Sequence, residues 1–546
     1  MPAGPRSRAT RALVALLAVV AGVGACTSGT PRPGPTGVSP TRPAPTTPAA
    51  DPAAEAAALV ARLGDEDLVG QVLMPAINLD DPADGSVNLV RTYRLGGVIL
   101  MGNVPQGAKA AAHVRQLTDQ LQAAARSMSV PTGLLIATDQ EYGWVTRVKS
   151  DVVQLPSAMA FGAAHRPDLT EAAWRGAGRE LAALGINIDF APVADVIGPA
   201  GNTVIGSRSY GSEAPGVSEQ VGAVVRGLQA AGVAATVKHF PGHGQTTVNS
   251  HLALPVLSQN RAALDAVDLA PFRAGISAGA WLVMAGHLDV RAIDPGVPAS
   301  FSRKVLVDLL RGQLGFDGVV VTDALNMAPA MQWDAGEAAV RALLAGQDLL
   351  LMPPNPGAAR QGILDALASG RLPKPRLVEA ATRVLTLKFR LAGYAKPDLA
   401  TVGAQANADL AAQIAAAGVT VLRGPCTGPF VTGPVRVTTS EGRGQQRAWL
   451  TEALRARGIT VVDTGGSVVH LVGYGDGVAD LVPATVTVGM DTPYLLGKAT
   501  SAVRMATYSS TRAAMDAAAA VIAGKATAGG RSPVAVSGLP RTACAG

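Results

Sequence analysis

Eight short apolar segments alternate with long helical stretches, and this alternation restricts the fold more than any other feature of the chain. The segments are rich in β-branched residues, are flanked by Gly or Pro, and cover 70–74, 97–101, 133–137, 186–190, 234–237, 282–285, 318–321 and 348–352. Most do not alternate in polarity, which is typical of parallel strands buried on both faces. Eight such units within residues 51–398 predict an α/β fold of the (β/α)8 barrel type, and a doubly wound sheet is the alternative.

Polar side chains follow five of these segments, at the point where each predicted strand ends. They are Asp139, Asp195, Lys238 with His239, His287 and Asp323. In a (β/α)8 barrel the carboxyl ends of all strands open into one mouth, where the chemistry takes place. We therefore expect these side chains to face a single site.

Residues 405–546 differ from this repeat and predict a second, smaller α/β domain. A helix that leads into a strand is predicted over 410–421, and further strands are predicted over 435–438, 459–462, 468–472 and 534–536. The glycine-rich segment 473–477 lacks the strand–helix context and the later acidic residue of a dinucleotide site. It predicts a turn.

The first 50 residues predict an export signal followed by an extended tether. Several arginines precede an apolar run over 12–25 that has the length of a signal peptide and is short for a membrane span. The run ends in VGAC, which resembles a bacterial lipobox. We therefore expect residues 1–25 to be a lipoprotein signal peptide and Cys26 to be acylated. An ordinary secretory signal is the alternative. Residues 26–50 are mostly Thr, Pro, Gly, Ser and Ala, as in an extended tether. This order predicts an exported lipoprotein anchored to the cell membrane.

Charge and cysteine content narrow the function classes further. The chain has 46 Lys and Arg against 40 Asp and Glu, but five of the basic residues and no acidic residue lie in the first 50 positions. No basic block remains in the folded part, which excludes a nucleic-acid binder. If Cys26 carries lipid, Cys426 and Cys544 remain, and in an exported protein they can form one disulfide.

The densest chemical feature is the segment 238–244, KHFPGHG, which is followed by the segment 249–251, NSH. Three of the seven histidines fall within 13 residues, and the proline and glycines prevent a helix, so a loop leaving a strand is predicted. A metal site is one interpretation, and a purely structural role is another. Without a helical scaffold, His239 and His243 do not converge as a metal-binding pair, and no cysteine pair has zinc-ligand spacing.

The sequence resembles glycoside hydrolase family 3, and within it the bacterial β-N-acetylglucosaminidase branch. The segments 238–244 and 249–251 are similar to the signature of that branch, and 321–327, VTDALNM, is similar to the nucleophile motif. Other similar segments follow in order and spacing, namely 139–147 (DQEYGWVTR), 190–196 (FAPVADV) and 205–211 (IGSRSYG). The resemblance covers 55–395 and continues more weakly at 506–508 and 530–534.

The resemblance implies a retaining glycosidase that needs no metal or organic cofactor. Asp323 would attack the anomeric carbon to form a covalent glycosyl-enzyme, and His251 would act as the acid and then the base. The contacts to a terminal N-acetylglucosamine map onto Asp139, Arg147, Arg208, Lys238 and His239. The implied function is an exo-acting β-N-acetylglucosaminidase that acts on peptidoglycan fragments.

Four positions depart from the pattern of that branch. Asn249 occupies the position of an Asp that usually orients the catalytic His, and Asn contributes no charge to an imidazolium. Gln245 occupies the position of an acid, and Tyr142 and Trp144 replace a Gly and an Arg. Because of these departures, a catalytically impaired envelope sugar-binding lipoprotein is an alternative. A family 3 β-glucosidase and a metal-dependent hydrolase are two others.

Overall fold

A computed structural model of the chain describes residues 51–81, 83–102, 109–198, 202 and 204–544. The predicted signal peptide, the predicted lipidation at Cys26 and the predicted tether lie outside the described residues. Within the described ranges, no helix combines the length and the apolarity that a bilayer crossing requires.

The strands of the first part lie between residues 73 and 351. They are β1 (Leu73–Met74), β2 (Ala76–Asn78), β3 (Gly97–Met101), β4 (Leu135–Thr138), β5 (Ile188–Asp189), β6 (Ala234–Phe240), β7 (Val256–Leu257), β8 (Leu282–Ala285), β9 (Asp289–Val290), β10 (Val319–Thr322) and β11 (Leu350–Leu351). A parallel sheet has the order β10-β8-β6-β5-β4-β3-β2, while β1 pairs with β11 and β7 pairs with β9.

The β1–β11 pair joins the two edges of the parallel sheet. The backbone N–H of Thr322 in β10 donates to the carbonyl of Leu349 at 3.0 Å, and the N–H of Ile99 in β3 donates to the carbonyl of Pro75 at 3.1 Å. Pro75 separates β1 from β2 because proline has no N–H to donate to the ladder. The first strand of the barrel is thus β1 continued by β2. The predicted (β/α)8 barrel is confirmed, and the alternative of a doubly wound sheet is wrong.

The strands are buried on both faces, as their lack of alternation predicts. Ile99 and Val321 belong to a cluster in the barrel interior, whereas Leu100 and Val320 belong to a larger cluster shared with the helices. The α-helices of this part are Pro52–Val60, Asp65–Gln71, Ala83–Tyr93, Ala110–Arg126, Ala158–Ala164, Pro167–Ala183, Ala214–Ala230, Arg261–Ala263, Leu269–Ser277, Ala335–Ala345, Pro356–Ala368 and Lys374–Ala392. Two further segments, Leu264–Asp268 and Lys304–Gln313, are π-helical.

A second sheet follows the barrel. Its strands are β12 (Thr420–Arg423), β13 (Val435–Thr439), β14 (Ser467–Val472), β15 (Val486–Gly489) and β16 (Val503–Ala506), in the order β12-β16-β15-β14-β13. Only β12 is antiparallel to its neighbour among these described strands. The accompanying helices are Gln405–Gly418, Gly444–Ala456 and Arg512–Ile522. This second sheet is the smaller α/β unit that the sequence predicts.

Two predicted strands of this part are wrong. Residues 459–462 make a single bridge, from Val461 to Val435, and residues 534–536 make only a local bridge from Val536 to Leu539. Their β-branched composition favours extended backbone, but a strand also needs a partner along its length. The positions in the sheet are taken instead by β15 and β16, which were not predicted because they are short and interrupted by polar residues.

The second sheet is joined to the barrel by apolar packing and is closed by a disulfide. Met159 and Ala163 of the helix Ala158–Ala164 share a cluster with Leu422 of β12. Cys426 and Cys544 form a disulfide whose Cα atoms are 5.4 Å apart. These two cysteines are the pair that the sequence left available, and the bond attaches the end of the chain beside β12.

Candidate active site

The carboxyl ends of the barrel strands bring the expected polar residues to one mouth. Asp139 follows β4, Lys238 and His239 lie in the last part of β6, and Asp323 follows β10. In the eight-membered ring, β4 and β10 are separated by β5, β6 and β8 on one side. The Asp139 end and the Asp323 end therefore lie across the mouth from each other.

A buried network of charges occupies the Asp139 side. The Lys238 ammonium is 2.8 Å from Asp139 Oδ1 and 2.6 Å from Glu141 Oε1. Arg208 binds both oxygens of Glu141, with Nε 2.7 Å from Oε2 and Nη2 2.8 Å from Oε1. Arg147 lies at the edge, with Nη2 3.9 Å from Asp139 Oδ2. Of the four charged residues predicted to bind sugar hydroxyls, Asp139, Arg208 and Lys238 belong to the network, and Arg147 makes only a long contact. The fifth residue, Glu141, was not predicted.

Glu141 and Lys238 of this network stay charged at neutral pH. Burial alone would raise the pKa of Glu141, but the charges of Arg208 and Lys238 lower it well below its usual range. Burial would likewise lower the pKa of Lys238, but Asp139 and Glu141 raise it. Charged donors and acceptors held in fixed positions form stronger hydrogen bonds than neutral ones, so this side suits a polyhydroxylated ligand.

His239 is held by a second buried carboxylate, that of Asp195. Asp195 Oδ2 lies 2.8 Å from Nδ1 of His239, and Asp195 Oδ1 accepts the backbone N–H of His243 at 2.7 Å. The carboxylate orients the ring so that Nε2 lies 3.5 Å from Arg208 Nη2, inside the mouth. Asp195 thus positions His239, one of the predicted sugar contacts. The sequence predicted Asp195 at the mouth but did not predict this positioning role.

Asp323 is presented at the other side of the mouth. Its backbone N–H donates to the carbonyl of Ala285 at 2.9 Å, and its Oδ1 accepts the N–H of Ala324 at 2.8 Å. Burial would raise the pKa of Asp323, but the charges of His239 and His287, together with that N–H, lower it. The carboxylate is therefore ionised at neutral pH, as a nucleophile must be.

His287 lies directly behind the nucleophile. Its Nδ1 is 2.6 Å from Ser300 Oγ, and its Nε2 is 3.0 Å from the carbonyl oxygen of Ala324. Burial lowers the pKa of His287. The ring thus braces the backbone beside Asp323.

His251 is exposed on the loop that follows β6, and its charge contributes to lowering the pKa of Asp323. Asn249 Oδ1 accepts the backbone N–H of His251 at 2.9 Å. Asn249 Oδ1 is thus engaged by the loop backbone and not by the imidazole of His251. Among the described residues, no side chain hydrogen-bonds the imidazole, which leaves both ring nitrogens available to a ligand.

The mouth also receives a residue from the second sheet. Tyr474, in the turn after β14, donates its hydroxyl to Ser207 Oγ at 3.0 Å and accepts the backbone N–H of Ser207. Gly206 has a φ of +52°, and a Cβ at this position would collide with the Tyr474 hydroxyl. Only glycine fits this contact, which fixes the backbone just before Arg208. Nothing in the local sequence around Tyr474 indicates this role.

The described part of the chain contains no group of three or more His, Cys, Asp or Glu side chains suited to a metal ion. The rings of His239 and His243 are 6.0 Å apart, and the Nδ1 of His239 is engaged by Asp195.

The match to known proteins agrees with this geometry. The glycosyl hydrolase family 3 N-terminal domain matches residues 65–387. The chain belongs to glycoside hydrolase family 3. As a family 3 member with an ionised carboxylate at the barrel mouth, it is a glycoside hydrolase.

Several relatives of this family 3 glycoside hydrolase carry related names. Beta-hexosaminidase LpqI of Mycobacterium tuberculosis is 34% identical, over 69% of this chain and 97% of that protein. Beta-hexosaminidase A of Pseudoalteromonas piscicida is 34% identical over 61% of this chain, which spans 60% of that protein. A solved family 3 β-N-acetylglucosaminidase from Paenibacillus sp. str. FPU-7 is 33% identical, covers 88% of this chain and 100% of its own, and has a TM-score of 0.78.

Proposed function

We propose that this family 3 glycoside hydrolase is an exo-acting, retaining β-N-acetylglucosaminidase that removes N-acetylglucosamine from cell-wall peptidoglycan fragments. The observation that carries the proposal is the ionised Asp323 lying across the mouth from the network of Asp139, Glu141, Arg208 and Lys238. A sugar between them has its anomeric carbon at the nucleophile and its hydroxyls at the charges. The names of the relatives support the acetamido sugar.

The reaction proceeds in two steps. Asp323 attacks the anomeric carbon, so that a bond from carbon to Asp323 oxygen forms while the glycosidic bond breaks, and His251 delivers its proton to the leaving oxygen. In the second step, the neutral His251 takes a proton from water as the water oxygen attacks the same carbon and Asp323 leaves. Two inversions give net retention of configuration.

The binding network positions the sugar and takes no part in the bond-making steps. Arg208, Lys238 and His239 offer donors to the sugar hydroxyls, and Asp139 offers an acceptor. Because these groups are held by Glu141 and Asp195, they lose little conformational freedom when the sugar binds. Part of the binding energy is then available to hold the anomeric carbon against Asp323.

We place the enzyme outside the cytoplasm as a membrane-anchored lipoprotein. The lipobox-like VGAC and the Pro- and Thr-rich segment 26–50 support this location. Cys26→Ala is expected to move the protein from the membrane fraction to the soluble fraction of fractionated cells, with Thr46→Ala, in the same Pro- and Thr-rich segment, as the control that stays in the membrane. If both variants fractionate like the wild type, the anchor is not Cys26.

The activity is tested on the full chain with 4-nitrophenyl β-N-acetylglucosaminide and with a disaccharide from peptidoglycan. Asp323→Asn keeps the shape of the side chain and removes the nucleophile, so we expect kcat to fall by more than about 10³-fold. A fluorinated sugar that slows the second step should label the peptide containing Asp323, as read by mass spectrometry. Faster cleavage of the matching β-glucoside would show a β-glucosidase instead.

A catalytically impaired sugar-binding lipoprotein is the second candidate, and Asn249 is the observation that favours it. Asn249 brings no charge to His251, and its side-chain oxygen is occupied by the loop backbone. An impaired relative would bind N-acetylglucosamine without labelling Asp323 and without releasing nitrophenol. Labelling of Asp323 separates the two candidates.

A further inference from the structure

A cavity of about 250 Å³ opens beside the binding network. Its lining residues are Trp144, Val204, Ile205, Arg208, Tyr474 and Gly475. Arg208 belongs both to this cavity and to the charge network, so the cavity borders the sugar site. A larger cavity of about 650 Å³ lies at the amino ends of β8 and β10, beside Trp281 and Gly318, and contains none of the mouth residues.

Two aromatic rings form the wall of the smaller cavity. The Trp144 and Tyr474 ring centroids are 5.0 Å apart at an interplanar angle of 61°. Trp144 is 69% exposed. The next most exposed Trp, Tyr or Phe side chain among the described residues is Tyr394, at 44%. An exposed indole that lines a cavity offers a large apolar face to a ligand that fills the cavity.

Tyr474 is held firmly enough to act as a platform. Its carbonyl accepts a hydrogen bond from Arg443, whose guanidinium is 3.0 Å from Asp476 Oδ1. Its hydroxyl is engaged with Ser207 at the other end. The ring therefore bridges the second sheet and the loop that carries Arg208.

The position of this cavity follows from the order of the strands. Trp144 lies on the loop after β4, and β4 is across the barrel from β10, which carries Asp323. A sugar with its anomeric carbon at Asp323 points its opposite end toward Arg208 and Trp144. The cavity thus lies beyond the non-reducing end of the reacting sugar, away from the leaving group.

We propose that the cavity is a further saccharide subsite, which binds one pyranose ring attached to the non-reducing end of the reacting sugar. This proposal rests on the proposed function and extends it from terminal monosaccharides to disaccharide units. The apolar face of the added ring stacks on the exposed Trp144, Tyr474 lines the side of the cavity, and Arg208 donates to a hydroxyl at the junction.

The test uses the full chain and 4-nitrophenyl β-N,N′-diacetylchitobioside, with analysis of the first products. An occupied subsite releases the disaccharide and nitrophenol together. If the terminal N-acetylglucosamine and 4-nitrophenyl N-acetylglucosaminide are the only first products, the proposal is overturned while the proposed function stands. Cleavage of neither this substrate nor the monosaccharide substrate would instead contradict the proposed function.

A second arm needs no turnover and measures the binding of N,N′-diacetylchitobiose and of N-acetylglucosamine by calorimetry. We expect the disaccharide to bind more tightly, and Trp144→Ala to reduce that preference by about tenfold, since an aromatic contact is lost. Tyr394→Ala is the matched control, because Tyr394 is a half-exposed aromatic residue that packs on Trp281 away from the mouth. An unchanged preference in Trp144→Ala, or an equal loss in Tyr394→Ala, overturns the subsite.

Discussion

Arg208 holds both carboxylate oxygens of Glu141, at 2.7 and 2.8 Å, where the Glu141 side chain is 4% exposed. The same carboxylate also binds the Lys238 ammonium at 2.6 Å. One buried anion therefore positions two cations of the sugar site. Buried charges of this kind are costly to separate, because removal of one partner leaves the others without compensation.

Glu141→Gln keeps the shape of the side chain and removes its charge, so Lys238 is left with Asp139 as its ion-pair partner, and Arg208 loses its only ion pair among the described residues. We expect the free energy of unfolding at neutral pH to fall by about 3 kcal/mol, measured by chemical denaturation. Glu441→Gln, at an exposed position of the second domain, is the control and should change stability little. An equal, small change in both variants would contradict the role of Glu141.

The same pair predicts an acid dependence of stability. The pKa of Glu141 is lowered in the folded state, so below about pH 4.3 the unfolded chain binds more protons at this position than the folded chain. The stabilisation by Glu141 is present above that pH and is lost as pH falls. The difference in unfolding free energy between wild type and Glu141→Gln should therefore shrink steadily on acidification, as measured by a denaturation series across pH.

Asn249→Asp should strengthen the acid–base step without disturbing the loop. An aspartate can still accept the backbone N–H of His251 at the position that Asn249 Oδ1 occupies, and its charge stabilises an imidazolium. We expect kcat to rise about tenfold on the natural disaccharide, whose leaving group needs a proton. On the nitrophenyl substrate, which leaves with little protonation, kcat should change little. A similar change on both substrates would show that the loop, and not the proton transfer, has been altered.

Asp268 predicts a dependence of stability on pH in the neutral range. It is buried behind Gly242 of the signature loop, and burial, with a contribution from Asp195, raises its pKa to about 7. Between about pH 4 and pH 7 the folded state holds a proton here that the unfolded state has lost, so this group makes the protein less stable as pH rises. Asp268→Asn removes the titration.

We expect Asp268→Asn to exceed the wild type in unfolding free energy by about 2–4 kcal/mol at pH 8, and to match it near pH 4. Thermal or chemical denaturation at the two pH values measures this. Asp365→Asn, on the exposed side of the helix Pro356–Ala368, is a control with no such crossover expected. A constant difference between wild type and Asp268→Asn across pH would contradict the assignment.

The disulfide between Cys426 and Cys544 closes a loop with a sequence separation of 118 residues. A cross-link over a long loop restricts the unfolded chain, and its loss typically costs about 2–4 kcal/mol. Cys426→Ser combined with Cys544→Ser should lower stability by that amount in denaturation without reductant. Addition of dithiothreitol should bring the wild type to the same value and leave the double variant unchanged. A wild type insensitive to the reductant would mean that the bond is absent in solution.

The barrel and its nucleophile were accessible from sequence because both leave local signals. Strands buried on two faces need apolar residues at consecutive positions, as at Val319–Thr322, and Asp323 follows such a run directly. The second sheet was harder to predict. Its strand Val503–Ala506 contains Arg504 and is short, whereas residues 459–462 have strand composition but only one bridging partner.

The sequence by itself determined the eightfold strand–helix alternation, the carboxylate after β10, the charged groups at the strand ends and the two cysteines left for pairing. Only the tertiary structure decided which of these groups bind one another. Glu141 meets Arg208 from 67 residues away, and Tyr474 meets Ser207 from 267 residues away. Local composition records backbone preference and burial, but a buried charge or hydroxyl takes whichever partner the folded loops bring within reach. That choice depends on how distant segments pack, which no local pattern contains.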